Sequence, residues 1–274
     1  MSRLLAGLFL CLATLRAADS FDVCVYGGTA SGVMAACAAA KEGAKVIVVE
    51  PSRWLGGMTG GGLMHIDWGR EEAVSGSTRP ILKKDYNDAQ YRTVFAEMLK
   101  SAGVTVLFEH RVSAVQKVDG VIRTIDLDLA PFDEYGCPPA KPIKALARVI
   151  QAKVFIDCSY EGDLMARAGV DYAFGREAKS AYGESLAGAQ PPMSVYAIDP
   201  YVKAGDPQSG LLPGLQSTPV APVGEADKLT MGYGFRWRFV FKGESLPIDP
   251  PVNYDPKQFE LYRRAFQQGV DILS

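Results

Sequence analysis

The stretch from Asp22 to Glu50, DVCVYGGTASGVMAACAAAKEGAKVIVVE, constrains the fold more tightly than any other part of this chain. Together with Phe21, its opening residues FDVCVY are apolar and β-branched, as expected of a strand buried on both faces. ASGVMAACAAAK is rich in strong helix formers, and Gly43 stands where a helix C-terminus favours glycine. AKVIVVE reads as a second buried strand that ends on an acid, Glu50. Strand, glycine turn, small-residue helix and strand make a right-handed βαβ unit. The predicted class is α/β.

Each piece of the unit has a chemical task. Gly27 permits the tight turn out of the strand, and Gly32 lets the helix pack close to the sheet. The helix N-terminus, Ala30-Ser31-Gly32, offers free N–H groups and a positive dipole end to a pyrophosphate. Glu50, at the strand tip, is placed to accept from both hydroxyls of an adenosine ribose. Thr29 occupies the slot where the dinucleotide fingerprint carries its second glycine. Gly28 beside it keeps the turn flexible, and a threonine hydroxyl can itself donate to phosphate. The alternative is a βαβ unit without a ligand.

PSRWLGGMTGGGL follows Glu50 directly. A nicotinamide site does not need such a loop. Arg53, Gly56-Gly57 and the Gly60–Gly62 run extend it along a cofactor, where dense glycine lets main-chain N–H groups approach a phosphate or a flat ring. A flexible surface loop is the plainer reading, but Arg53, Trp54, Leu55 and Met58 are anchors that a solvated linker rarely carries.

Composition narrows the remaining classes. The 274 residues are 48% hydrophobic with a formal net charge of −2, which suits one large or two small globular domains and gives no reason to expect nucleic acid or an anionic membrane as partner. His65 and His110 are the only histidines and lie far apart, which argues against a His-rich metal site. Cys24, Cys37 and Cys158 fall at predicted core positions, no CxxC or zinc spacing exists, and Cys137 in a Pro-rich loop is either a reactive thiol or structural. MSRLLAGLFLCLATLRAADS reads as an export signal over residues 1–18: Arg3, an apolar run Leu4–Leu15, then Ala17-Ala18. The run is too short for a membrane-spanning helix. Leu15 or Arg16 three residues before the cut is atypical, so an uncleaved anchor or an apolar start to a cytosolic chain stays open.

The stretch Asp22–Leu63, with its G-G-x-x-x-G, terminal Glu and L-G-G-M, resembles the FAD-dependent oxidoreductase family, two-dinucleotide-domain flavoproteins often found as exported bacterial proteins. There, Thr at the second glycine slot is a common variant. The resemblance implies FAD, held by Gly27, Gly28, Thr29, Ala30, Ser31, Gly32, Glu50, Arg53, Gly56, Gly57 and Met58. It places a residue near Val112 against the adenine, and it makes KVFIDCSYEGDLMARAG a second nucleotide motif in which Asp163 is either a helix cap or a ligand contact. His65 is either structural, an acid–base group near the flavin, or an attachment point.

The implied organisation is a Rossmann-type FAD domain at 19–168 with a β-meander inserted at 107–150, turning at Asp119-Gly120, and a mixed α+β substrate domain at 169–274. In that second domain Phe235, Trp237 and Phe239 alternate as on a half-buried strand, Arg236 and Arg238 face the other way, and Asp255-Pro256 opens a helix. Members of the family run longer, so a truncated product or completion by a partner chain is expected. The implied activity is hydride transfer between flavin and a small organic or carbohydrate-like substrate. A nicotinamide-dependent dehydrogenase and a non-catalytic remnant are the alternatives. The oligomeric state is not encoded in any of these features.

Overall fold

The computed structural model describes residues 18–61, 70–81, 86–134, 136–191, 197–230, 242–244, 247, 249–250 and 252–270. The chain divides into two compact units, Met1–Tyr172 and Ala173–Ser274. Residues 1–17 of the expected leader, His65 and the expected strand around Phe235–Phe239 lie outside the described residues.

In the first unit β1 (Asp19–Tyr26), α1 (Ala30–Lys41) and β2 (Val46–Glu50) form the βαβ unit read from the sequence. α2 (Asp88–Ser101) follows, then β3 (Thr105–Phe108), β4 (His110–Val118), β5 (Val121–Leu129), β6 (Lys144–Asp157) and α3 (Asp163–Arg167). One sheet results, in the order β3-β2-β1-β6-β5-β4. β1 lies in parallel between β2 and β6, with Tyr26 opposite Val49 on one side and Asp157 on the other. Successive side chains alternate faces. Cys24, Tyr26, Ile47 and Val49 pack with Val112, Ile125, Leu127 and Ile150 of the meander. Val25, Val46 and Val48 pack with Val33 and Ala36 of α1 and with Tyr91, Phe95 and Leu99 of α2. Each fully buried side chain of this kind contributes about 1.5–3 kcal/mol.

The sheet cannot be flat. β3 and β4 stand at opposite ends of the strand order, yet only Glu109 separates them in the chain. Six strands laid flat would put their outer edges roughly 24 Å apart, whereas one linking residue reaches roughly 7 Å. β6 takes the bend. Its first half pairs antiparallel with β5, up to Gln151 opposite Thr124, and its second half pairs with β1, from Ile150 opposite Asp19. The end of the meander and the start of the second nucleotide motif are thus one 14-residue strand, with no turn residue between them to separate the two roles. At the fold-back Glu109 has φ 59°, a left-handed conformation that non-glycine residues rarely adopt. The β4–β5 hairpin turns through Asp119 (φ 52°) and Gly120 (φ 77°), the pair of positive φ values a tight two-residue turn requires.

The second unit is built mainly of turns and isolated bridges, with α4 (Lys179–Tyr182) and α5 (Glu260–Gln267) as its described α-helices. Arg176 forks onto Asp227, which also accepts from Leu229 N at 3.1 Å, and these bonds pull the Asp227 carboxyl down to about 2. Asp255 caps a short 3-10 turn, Pro256–Phe259, that leads into α5. α5 buries Ala265 and leaves Tyr262 and Phe266 exposed.

Candidate dinucleotide site

Three turns meet at the C-terminal ends of β1, β2 and β6, the edge at which an open α/β sheet receives its ligands. A cavity of about 310 Å³ opens among them. The turn after β1 lines it with Gly27 and Thr29, that after β2 with Trp54 and Gly57 beside Glu50, and that after β6 with Ser159, Tyr160 and Asp163. Gly27 shows why the turns can approach so closely. Its φ is 96°, and a Cβ there would lie 2.7 Å from Ser159 N. A Cβ on Gly32 would fall onto the Gly27 carbonyl oxygen, so the helix start is pressed against the turn that precedes it.

Glu50 is buried, and both of its oxygens already accept main-chain N–H groups: Oε2 from Gly28 at 2.6 Å and Oε1 from Ser52 at 2.7 Å. A carboxylate has about four acceptor positions, so each oxygen keeps one for a hydroxyl. Thr29 caps α1 by accepting from Gly32 N at 3.2 Å, and its hydroxyl donates to the Cys158 carbonyl at 2.9 Å. That donation uses its one proton and so corrects the expectation of a hydroxyl donor to phosphate. With Gly32 N on the Thr29 hydroxyl and Val33 N on the Thr29 carbonyl, the N–H groups of Ala30 and Ser31 are the pair the helix start leaves for an anion.

Other expected residues are placed as follows. Arg53 stacks over Trp54, 4.5 Å from its ring centre, and donates to the Asp133 carbonyl at 3.1 Å, which ties the loop after β5 to the site. Gly56 (φ 97°) donates to the Gly28 carbonyl at 2.7 Å. Met58 exposes its side chain and donates its N–H to the Tyr160 hydroxyl at 2.8 Å. Val112 is a core residue whose N–H donates to the buried Tyr26 hydroxyl at 3.2 Å, and it does not line the cavity. Burial raises the Tyr26 phenol well above its usual range. Asp163 lines the cavity but does not cap α3; the cap position is Gly162, and the Asp163 carboxylate faces Arg167 at 3.4 Å. Asp157 holds this turn instead, accepting from Ser159 N, the Ser159 hydroxyl and Met165 N at 2.7–2.9 Å.

Three contributors were not singled out from the sequence. Phe132 lines the cavity from a proline-rich loop, positioned by its N–H on the Glu109 carboxylate at 3.2 Å. Glu109 also donates its own N–H to the Ser52 carbonyl at 3.0 Å, so the strained residue braces two sides of the site. Tyr160 sits in the second motif, where attention falls on the acids. Burial pushes the Cys24 thiol up to about 12 and raises those of Cys37 and Cys158, so none of them is poised as a thiolate. Among the described residues no group of His, Cys, Asp and Glu is placed to hold a metal, and no helix is long and apolar enough to cross a membrane.

The donor set fits a dinucleotide: a buried carboxylate with spare acceptor capacity, a helix start with unclaimed N–H groups, and a glycine-walled cavity beside them. A family model described as FAD dependent oxidoreductase matches residues 22–272. No curated protein matches. Among solved structures, the chain is 21% identical to the THI4 protein of Thermovibrio ammonificans, with TM-score 0.39 over 58% of this chain and 66% of that one. It is 13% identical to L-proline dehydrogenase from P. horikoshii, with TM-score 0.40 over 59% of each chain. It is 20% identical to T. acidophilum thioredoxin reductase, with TM-score 0.35 over 50% of this chain and 34% of that one. The chain thus spans 66% and 59% of the lengths of the first two.

Proposed function

This chain belongs to the FAD dependent oxidoreductase family, and we propose that its first unit binds FAD in the cavity at the ends of β1, β2 and β6, for hydride exchange with a small organic or carbohydrate-like substrate. The observation that carries this reading is the Glu50 carboxylate, fixed by Gly28 and Ser52 N–H groups with one acceptor position free on each oxygen. Glu50 would take the adenosine ribose hydroxyls, and the Ala30 and Ser31 N–H groups would face the pyrophosphate. Bound flavin supplies a two-electron acceptor and donor, which protein side chains lack. The residues around the cavity bind and orient; Trp54 and Phe132 keep part of its wall apolar. The N-terminal pattern of Arg3, Leu4–Leu15 and Ala17-Ala18 supports export of the protein.

The test is direct. The purified full chain is incubated with FAD, desalted and read for visible flavin absorbance, while a parallel sample given NADH is read for nicotinamide absorbance in the near ultraviolet. Flavin that co-elutes with folded protein supports the reading. A folded chain that leaves the column colourless refutes it, and retention of NADH alone would identify a nicotinamide site.

A further inference from the structure

We infer that Tyr160 is a positioning residue that latches the glycine loop to the wall of the cofactor cavity, an inference that rests on the FAD reading of that cavity. Its hydroxyl accepts from Met58 N at 2.8 Å, a bond that joins the loop after β2 to the turn after β6. Tyr160 is 55% exposed, so it is not there to fill the core. The turn that carries it is rigid: Asp157 holds Ser159 and Met165, and the Cys158 carbonyl and N–H are bound by the Thr29 hydroxyl and the Tyr26 carbonyl.

The loop it grips is fixed at its two ends. Gly56 N donates to the Gly28 carbonyl at 2.7 Å, and Arg92 donates to the Gly60 carbonyl at 2.5 Å. Between those anchors, among the described residues, the Tyr160 bond to Met58 cross-links the loop to another part of the chain. The sequence is shaped around it. Gly57 has φ 53°, and a Cβ there would collide with the Tyr160 hydroxyl, so tyrosine and glycine occupy one space. Both line the cavity. With the latch closed, Gly57 is held in the cavity wall, and the loop loses conformational freedom before FAD arrives; that preorganisation strengthens binding.

The experiment compares Tyr160→Phe with the parent chain by amide hydrogen exchange without FAD and by FAD dissociation after loading. Phenylalanine keeps the ring and removes only the acceptor. Exchange at Met58 should accelerate about fivefold and FAD should leave about fivefold faster, the effect of one hydrogen bond. Exchange in β1 and β2 should stay at parent values, which separates the latch from a general loss of stability. Gly57→Ala, whose Cβ would meet both the Tyr160 hydroxyl and its ring, should reproduce both effects in the parent. Unchanged Met58 exchange overturns the latch, as do equal FAD dissociation rates in both chains. If the folded parent binds no FAD, the site reading falls and the latch's role falls with it.

Discussion

Replacing Glu50 with glutamine preserves size and exchanges one acceptor oxygen for an amide donor. Here Oε2 and Oε1 face two different main-chain donors, Gly28 N at 2.6 Å and Ser52 N at 2.7 Å. A glutamine satisfies one of them and turns its own NH2 group toward the other. The position is 7% exposed, so water cannot readily replace the missing acceptor. A hydrogen bond to a charged group contributes about 1.5–3 kcal/mol, and an orphaned buried donor costs a comparable amount. The expected loss is about 2–3 kcal/mol in the ligand-free chain, which for a domain of this size lowers Tm by roughly 4–12 °C. Thermal unfolding without FAD, followed by far-UV circular dichroism, reads the effect. A Glu50→Gln chain that melts with the parent but binds FAD poorly would show that the two bonds add nothing and that the carboxylate serves the ligand alone.

Gly32→Ala places a Cβ on the Gly27 carbonyl oxygen, so the start of α1 must move outward; the cost is about 1–3 kcal/mol and the chain should fail to retain FAD on a desalting column while keeping its secondary structure. FAD retention equal to the parent would refute the close-approach argument. In the second unit the Asp227 carboxyl is depressed to about 2 by the Arg176 guanidinium and by main-chain donors. The unfolded value is about 3.9, so the clasp stabilises fully above roughly pH 4 and is lost as pH falls through 2. An NMR titration of the carboxyl should therefore bend near pH 2, with amide protection at Arg176 and Ala189 falling in step; a midpoint near 4 would contradict it.

The parts of the fold that obey local rules were readable from residues 21–50. Periodicity, a helix of small residues and a glycine turn sufficed for β1, α1 and β2. The hairpin at Asp119-Gly120 announced itself in the same way. What did not show was any property that depends on how distant turns share atoms. Thr29 looks in the sequence like a failed glycine with a hydroxyl to spare, but that hydroxyl belongs to Cys158, far along the chain. Asp163 looks like a cap, but the left-handed conformation of Gly162 puts the cap one residue earlier. Phe132 had no signal at all, because its place is set by a carboxylate on Glu109 and an arginine stacked on Trp54. The continuity of β6 was hidden because a strand that changes partners midway has the same apolar pattern as one that does not.

β1 is the first strand to be made and the one that waits longest for its second neighbour. β2 follows it within a few dozen residues, but β6, its other neighbour, ends at Asp157. During synthesis the middle strand of the sheet therefore presents one bare row of N–H and C=O groups until the ribosome has made and released more than half of the chain. Such a row is a template for any extended segment that passes, and contacts of this sequence separation slow folding. The bent strand that closes the cofactor domain is thus also the step that ends its exposure to misassembly.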